Sequence, residues 1–281
     1  MNIKITADST CDLSPELIAA NNISITPLTV DKGGQLFRDG VDIQPADIFA
    51  HVSGGGAICS TAAVNVYDYQ TLFRELSQEY DAVVHITIGS DFSACYQNAC
   101  AASEDLDNVY VVDSRNLSTG HGHVVMEACR LAKEWDGDVA VMCEQLREFT
   151  GRVVASFLLD RLDYMAKGGR CSTVTALGAN LLKLKPCIEV IDGKMVVVKK
   201  YRGRYDKCLT DYVHDRLAGR DDILRDILFI THSPVKPDEM AAVQAAVQQC
   251  DPFENVYDTD AGCTVSCHCG PGTLGVLFVR K

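Results

Sequence analysis

No run in this chain approaches eighteen consecutive apolar residues, so no segment reads as a membrane-crossing helix. Its thirteen cysteines include no Cys-x-x-Cys pair, which removes the usual spacing of a structural zinc site. Cys263, Cys267, His268 and Cys269 cluster, yet adjacent residues seldom chelate one tetrahedral ion together. His121-Gly122-His123 offers two imidazoles without an acidic or thiol partner nearby in sequence. The turn Gly89-Ser90-Asp91-Phe92-Ser93 lacks the Lys of a P-loop, the glycine spacing of a dinucleotide fingerprint and the Gly-x-Ser-x-Gly elbow of a hydrolase. Positive charge is scarce: the net charge of −12 argues against nucleic acid or an anionic membrane surface as a partner. A local basic stretch survives in Lys183, Lys185, Lys194, Lys199, Lys200, Arg202 and Arg204. Internal repeats and low-complexity linkers are also missing.

What is present describes a soluble α/β protein. Hydrophobic residues make up 47% of 281 positions, enough to bury a large core and to support two domains. Met1-Asn2-Ile3-Lys4-Ile5 leads straight into a strand, and the odd number of thiols suits a reducing compartment. A cytoplasmic protein is expected.

Short β-rich runs alternate with helical patterns through the chain, which predicts strands joined by helical crossovers. In the first half, strands are expected at 3–7, 23–30, 82–88 and 109–113. Helices are expected after Ser14-Pro15, over 45–52, over 68–80 with Asp68 as cap, and near 93–104, 118–135 and 138–149. From about residue 151 the pattern changes. A strand at 152–159, a short helix at 162–166 and a helix at 172–183 precede a hairpin of 186–191 and 194–199 around Asp192-Gly193. A helix at 205–217, a strand at 227–231, a helix at 237–249 and strands near 253–257 and 274–279 follow. The fold class is therefore α/β in two domains. The first, residues 1–150, carries a mainly parallel sheet flanked by helices; the second, 151–281, carries a mixed sheet. The segment around 53–67 is the one that could cross from the first to the second.

Four polar stretches flank strands and qualify as loops: Asp8-Ser9-Thr10, Ser60-Thr61-Ala62-Ala63, Gly89 to Ser93, and Cys267 to Thr273. In open α/β sheets such loops gather at the carboxyl ends of the strands, where ligands bind. Ser93 stands where a helix cap is expected, so its hydroxyl and the first-turn N–H groups would converge on a small anion such as a carboxylate. Singly, each loop reads as turn chemistry, and His268 beside Gly270-Pro271-Gly272 reads equally as a structural histidine. A rival reading joins Ser93 or Thr61 to His268 and an acid such as Asp8 in an esterase or thioesterase triad. Cysteine nucleophiles at Cys95 or Cys267 would need a lowered thiol pKa, for which the letters offer no signal.

Taken together and in order, these fragments resemble the DegV family of bacterial fatty-acid-binding proteins over essentially the whole chain. The resemblance rests on Asp8-Ser9-Thr10-Cys11-Asp12, Thr61-Ala62-Ala63, Ile86 to Asn98, Val112 to Gly120, Gly168-Gly169-Arg170, Lys200-Tyr201-Arg202-Gly203 and His268 to Gly275. It implies a long-chain fatty acid buried in a tunnel between two domains. Its carboxylate would meet Thr61 and Ser93, with His268 in support and Ala62, Gly89, Ala94 and Gly270 shaping the loops. It also implies a carrier rather than an enzyme: the acyl-carrying subunit of a fatty acid kinase, without cofactor or metal. A separate kinase protein would turn the acid into acyl phosphate for phospholipid synthesis, docking near Arg170 and Arg202. The chain departs from the family pattern at Ala62, where a Ser is usual, at Ser93-Ala94-Cys95-Tyr96 for Ser-Gly-Thr-Tyr, and at the cysteines flanking His268. Phe157, Leu158 and Leu159 are candidates for the tunnel wall, with core packing the favoured reading of all three.

Overall fold

The computed structural model describes residues 1–175 and 184–281. A parallel sheet in the order β2 (Ser24–Thr26), β1 (Ile3–Asp8), β6 (Ala82–Thr87), β7 (Val109–Asp113) forms the first layer. Every residue of β6 is buried, as expected of a strand covered by helices on both faces. A small antiparallel sheet orders β4 (Gln35–Arg38), β3 (Thr29–Lys32) and β5 (Ser60–Ala62). The largest sheet is mixed and runs β10 (Lys194–Arg202), β9 (Leu184–Ile191), β8 (Val153–Leu158), β13 (Leu274–Arg280), β11 (Ile223–His232), β12 (Asn255–Asp260). All of its pairings are antiparallel except β11 with β12.

The helices are α1 (Pro15–Ala20), α2 (Pro45–Ser53), α3 (Val66–Glu79), α4 (Cys95–Ser103), α5 (Ser118–Ala132) and α6 (Val139–Thr150). They continue with α7 (Asp163–Gly168), α8 (Ser172–Thr175), α9 (Tyr205–Leu217), α10 (Pro237–Gln248) and α11 (Cys263–Cys269). Beyond Thr175, the helix expected over 172–183 lies outside the described residues. The main core runs from the parallel sheet to the inner face of the mixed sheet, through residues such as Ile86, Val112, Ala155, Phe157 and Leu277. Helices α9 and α10 cover the other face over Leu209, Tyr212, Leu228, Val243 and Phe278.

The expected fold class holds, with local corrections. The single strand expected over 23–30 is two strands in different sheets, because Pro27 has no N–H to continue a ladder. Helix α3 begins at Val66, not Asp68: Asn65 is the cap, its Oδ1 accepting from the Asp68 N–H at 2.9 Å. Three of the four expected loops are regular structure: Asp8 ends β1 and Ser9-Thr10 open a 3-10 turn through Cys11. Ser60–Ala62 is strand β5, and Cys267-His268-Cys269 closes helix α11. The hairpin turn is as read, with Asp192 and Gly193 both at positive φ (51° and 80°).

Candidate functional site

In the parallel sheet, the strand order reverses direction of growth between β1 and β6, so a crevice opens beyond their carboxyl ends. Asp8 ends β1 there, and its Oδ2 accepts from the Ile88 N–H at 2.9 Å. The chain then turns through Gly89, whose N–H donates to the Asn116 carbonyl while its own carbonyl accepts from Phe92 N–H. This turn delivers Ser93 to the crevice. Ser93 precedes the cap by one position: Ala94 is the N-cap of α4, and the Ser93 Oγ accepts from Cys95 N–H at 3.4 Å. Its hydroxyl donates to the Cys95 sulfur at 3.2 Å.

Helix α11 brings in the second wall. Its N-terminal N–H groups on Cys263 and Thr264 donate to the Asp39 carboxylate at 2.9 and 3.1 Å. Gly262 N–H donates to Asp12 Oδ1 at 3.0 Å, and Ser118 Oγ donates to Asp12 Oδ2 at 2.6 Å. Burial, opposed by Ser118 and reinforced by Asp39, raises the Asp12 pKa to about 8. At its other end α11 stops at Gly270, whose φ of 76° favours glycine and whose Cα passes so close to Tyr164 that a Cβ would lie 2.7 Å from the ring.

His268, on the last turn of α11, meets Thr61 of β5 across 207 positions: Nε2 and Oγ1 lie 2.8 Å apart. Burial, then the nearby Arg170 charge, lowers the His268 pKa to about 4, so the ring is neutral at physiological pH. Its Nδ1 has no partner among the described residues. A buried N–H without an acceptor is costlier than an unused lone pair, so the ring proton belongs on Nε2. Nε2–H then donates to Thr61, which leaves the Thr61 hydroxyl hydrogen free for a ligand. Gly168 makes room for the ring, since a Cβ there would stand 2.3 Å from Nδ1.

Thr61, Ala62, Ser93, Arg170 and His268 line one cavity together with Leu28, Ile88, Phe92, Leu117, Met165, Met195 and Val265. Its walls are mainly apolar, with a few polar groups at one place. Arg170 is oriented there by a bond from Nη1 to the Gly168 carbonyl at 2.7 Å. A second, smaller cavity shares Leu117, Val265 and Cys269 with the first and extends along Ala155, Phe157 and Leu277. Of the three wall candidates, Phe157 lines this second cavity, whereas Leu158 and Leu159 are fully buried core, the role favoured for them from the sequence. A separate cleft beside α5 and β11 contains none of the expected site residues.

Other expectations separate from this centre. Arg202 is exposed on β10 opposite Leu184 and does not line the cavity. Much of the basic stretch is locally paired, Lys185 with Asp160, Lys199 with Asp215 and Arg204 with Asp206, and Lys183 lies outside the described residues. The weighed triad is not assembled: Asp8 bonds Tyr69, His85 and Ile88, and no carboxylate orients His268 Nδ1 among the described residues. Burial pushes the Cys95 thiol up to about 12 and raises Cys267 as well, so neither is a poised thiolate. His121 and His123 are core residues, bonded to the Ile86 and Leu277 carbonyls. No group of three or more His, Cys, Asp or Glu among the described residues is arranged to hold a metal. Sequence reasoning missed Thr264, whose buried, unpartnered hydroxyl lines the cavity one helical turn before His268. The i, i+4 spacing would have found it had 263–269 been read as a helix.

A family model described as "Uncharacterised protein, DegV family" matches residues 2–281. A DegV domain-containing protein of Clostridium perfringens is 32% identical, with 99% of each chain covered. One of Caldanaerobacter subterraneus subsp. tengcongensis is 30% identical over 99% of each. Among solved structures, a DegV family protein from Thermus thermophilus described by its fatty acid binding superposes with a TM-score of 0.88 at 28% identity, covering 100% of both chains. A stearic acid-binding protein from Eubacterium ventriosum superposes with a TM-score of 0.83 at 25% identity, covering 99% of this chain and 98% of that one.

Proposed function

The chain belongs to the DegV family, and from that premise we propose that it binds one long-chain fatty acid in the cavity between its sheets. Thr61 and Ser93 receive the carboxylate. The single observation that carries this reading is the convergence of Thr61, Ser93, His268 and Arg170 on one apolar-walled cavity. A carboxylate buried without donors would lose most of what its tail gains, and these groups supply donors and a positive charge at the point where the cavity is polar. Each methylene removed from water contributes about 0.8 kcal/mol, so a sixteen-carbon tail offers on the order of 10 kcal/mol before ordering costs. The relatives from Thermus thermophilus and Eubacterium ventriosum, described as binding fatty acid and stearic acid, support the ligand class.

The finer reading is that of a carrier subunit. The protein has no chemistry of its own, resides in the cytoplasm, and folds as two domains meeting near residue 150, between α6 and β8. It presents the acid head to a separate kinase for conversion to acyl phosphate, with Arg170 and Arg202 as docking residues. Among the described residues no acid orients His268, which favours this over an esterase.

Native mass spectrometry of the purified chain, followed by titration with palmitate and oleate, tests the binding step. The expected result is one bound acid per chain, with affinity reduced at least about fivefold in Thr61→Ala and Ser93→Ala, the loss of one hydrogen bond each. Protein that takes up neither acid overturns the proposal. In a second arm with a bacterial fatty acid kinase, Arg202→Glu keeps acid binding and lowers acyl phosphate yield; undiminished yield removes Arg202 from the docking surface.

A further inference from the structure

The two cavities meet at Leu117, Val265 and Cys269, which line both, so a tail leading away from a head at Thr61 and Ser93 has its continuation there. The second cavity is not purely apolar: Ser118, Thr231, Ser233 and Thr273 also line it. Two of those hydroxyls are engaged, Ser118 donating to Asp12 Oδ2 at 2.6 Å and Thr273 to the Cys269 carbonyl at 2.9 Å. Ser233 is different. It follows the end of β11, is 1% exposed, and its N–H donates to the Thr273 carbonyl at 2.9 Å. Its Oγ is buried and has no partner among the described residues. A serine at a strand end ordinarily bonds a neighbouring backbone group through its side chain, and this one bonds none.

Thr231 lines the same cavity with hydrogen-bonding capacity to spare. Its Oγ1 lies 2.5 Å from Thr119 Oγ1 and 2.8 Å from Thr259 Oγ1. Three hydroxyls carry three hydrogens, and the two bonds among them use two. When Thr119 and Thr259 both donate to Thr231, the third hydrogen is Thr231's own. A bare methylene run laid against Ser233 leaves its hydroxyl unpaired, which is costly for a buried polar group. A hydroxyl on the chain of the ligand brings a donor and an acceptor together. Resting on the reading that the first cavity seats a fatty acid's carboxylate, we propose that the second selects acids hydroxylated on the part of the chain remote from that head. Ser233 is the residue that recognises the added hydroxyl, and Thr231 supplies its second bond.

Calorimetric titration of the full chain with stearate and with 9-, 10-, 12- and 2-hydroxystearate is the test. At least one of the three acids with a remote hydroxyl is expected to bind about three- to tenfold tighter than stearate, the range set by one neutral hydrogen bond. Ser233→Ala removes that advantage and leaves the stearate Kd equal or lower. Comparing each acid across the two chains cancels differences in solubility. The hydroxyl of 2-hydroxystearate stays beside the head, so its Kd should not respond to Ser233→Ala. Because the Ser233 hydroxyl has no partner to lose, the thermal midpoint of the variant should equal or exceed that of the wild type; a lower midpoint shows a structural role and overturns the inference. A preference for the hydroxylated acid that survives in Ser233→Ala also overturns it. Should the alanine variant fail to fold, Ser233→Cys, with its weak S–H donor, decides by the same Kd criterion. A wild-type chain that takes up none of the acids defeats the fatty acid reading and the inference together; one that binds stearate at least as tightly as all three remote-hydroxyl acids defeats the inference only.

Discussion

Gly168 contributes to the site through what it lacks. It ends α7, and the His268 ring occupies the space where any side chain would begin, 2.3 Å from Nδ1 to an ideal Cβ. Alanine is the better helix former, so Gly168→Ala leaves the backbone of α7 intact while displacing the imidazole. Its bond to Thr61 then breaks, and the Thr61 hydroxyl is no longer held ready to donate. Palmitate affinity is expected to fall at least about fivefold, one hydrogen bond's worth, with far-UV circular dichroism unchanged; equal affinity would show that the ring position is immaterial. At this scale the sequence was legible where the chemistry is written in the residue itself. Thr61, Ser93 and His268 could be singled out as hydroxyls and an imidazole in flanking positions. Gly168 was visible only within a Gly-Gly turn, because the close approach that matters comes from a residue a hundred positions away.

Elements were readable in proportion to how local their causes are. Helix α1 announces itself through Ser14-Pro15, and the β9–β10 hairpin through Asp192-Gly193, and both are where those signals put them. Helix α11 gave no such signal. At seven residues it is too short to be stable alone, and its first N–H groups are capped by Asp39 and Asp12, more than 200 positions earlier in the chain. Strand β5 is three residues long and exists because β3 pairs with it. The same long-range cap gives a prediction about α11 as a unit. In Asp39→Asn only one oxygen can accept, so one of the Cys263 and Thr264 N–H groups is left facing an amide that donates. A loss of about 1–2 kcal/mol is expected in urea unfolding, accompanied by weaker palmitate binding because His268 rides on the helix. Wild-type stability in that variant would mean that packing against α7, α2 and the small sheet fixes α11 without the cap.

Across the whole molecule, buried titratable groups set how stability follows pH. His121, His123 and His268 have their pKa values lowered to about 4, in each case first by burial. Their unfolded values lie near 6.5, so between about 6.5 and 4 the unfolded chain binds protons that the folded chain refuses. Stability is present above that window and is lost as pH falls through it, by up to about 1.4 kcal/mol per pH unit for each group. Asp12 acts with the opposite sign. With its folded pKa raised to about 8 by burial, it stays protonated where the unfolded carboxyl is ionised, so its contribution declines as pH rises from about 4 to 8. Three histidines outweigh one aspartate on the acid side, and Asp12 acts without them between about 6.5 and 8. Buried thiols extend the alkaline decline, since burial raises Cys11, Cys129 and Cys269 to about 12, above the value an exposed thiol would show. The unfolding free energy is therefore expected to peak near pH 6.5. Denaturant titrations at half-unit steps from pH 4.5 to 8.5 measure this directly. Asp12→Asn carries the neutral form at every pH, so it should flatten the slope between about 6.5 and 8 and steepen the acid limb. An unaltered alkaline slope in that variant would place the proton elsewhere than on Asp12, and with it the account of how α11 is held against the first half of the chain.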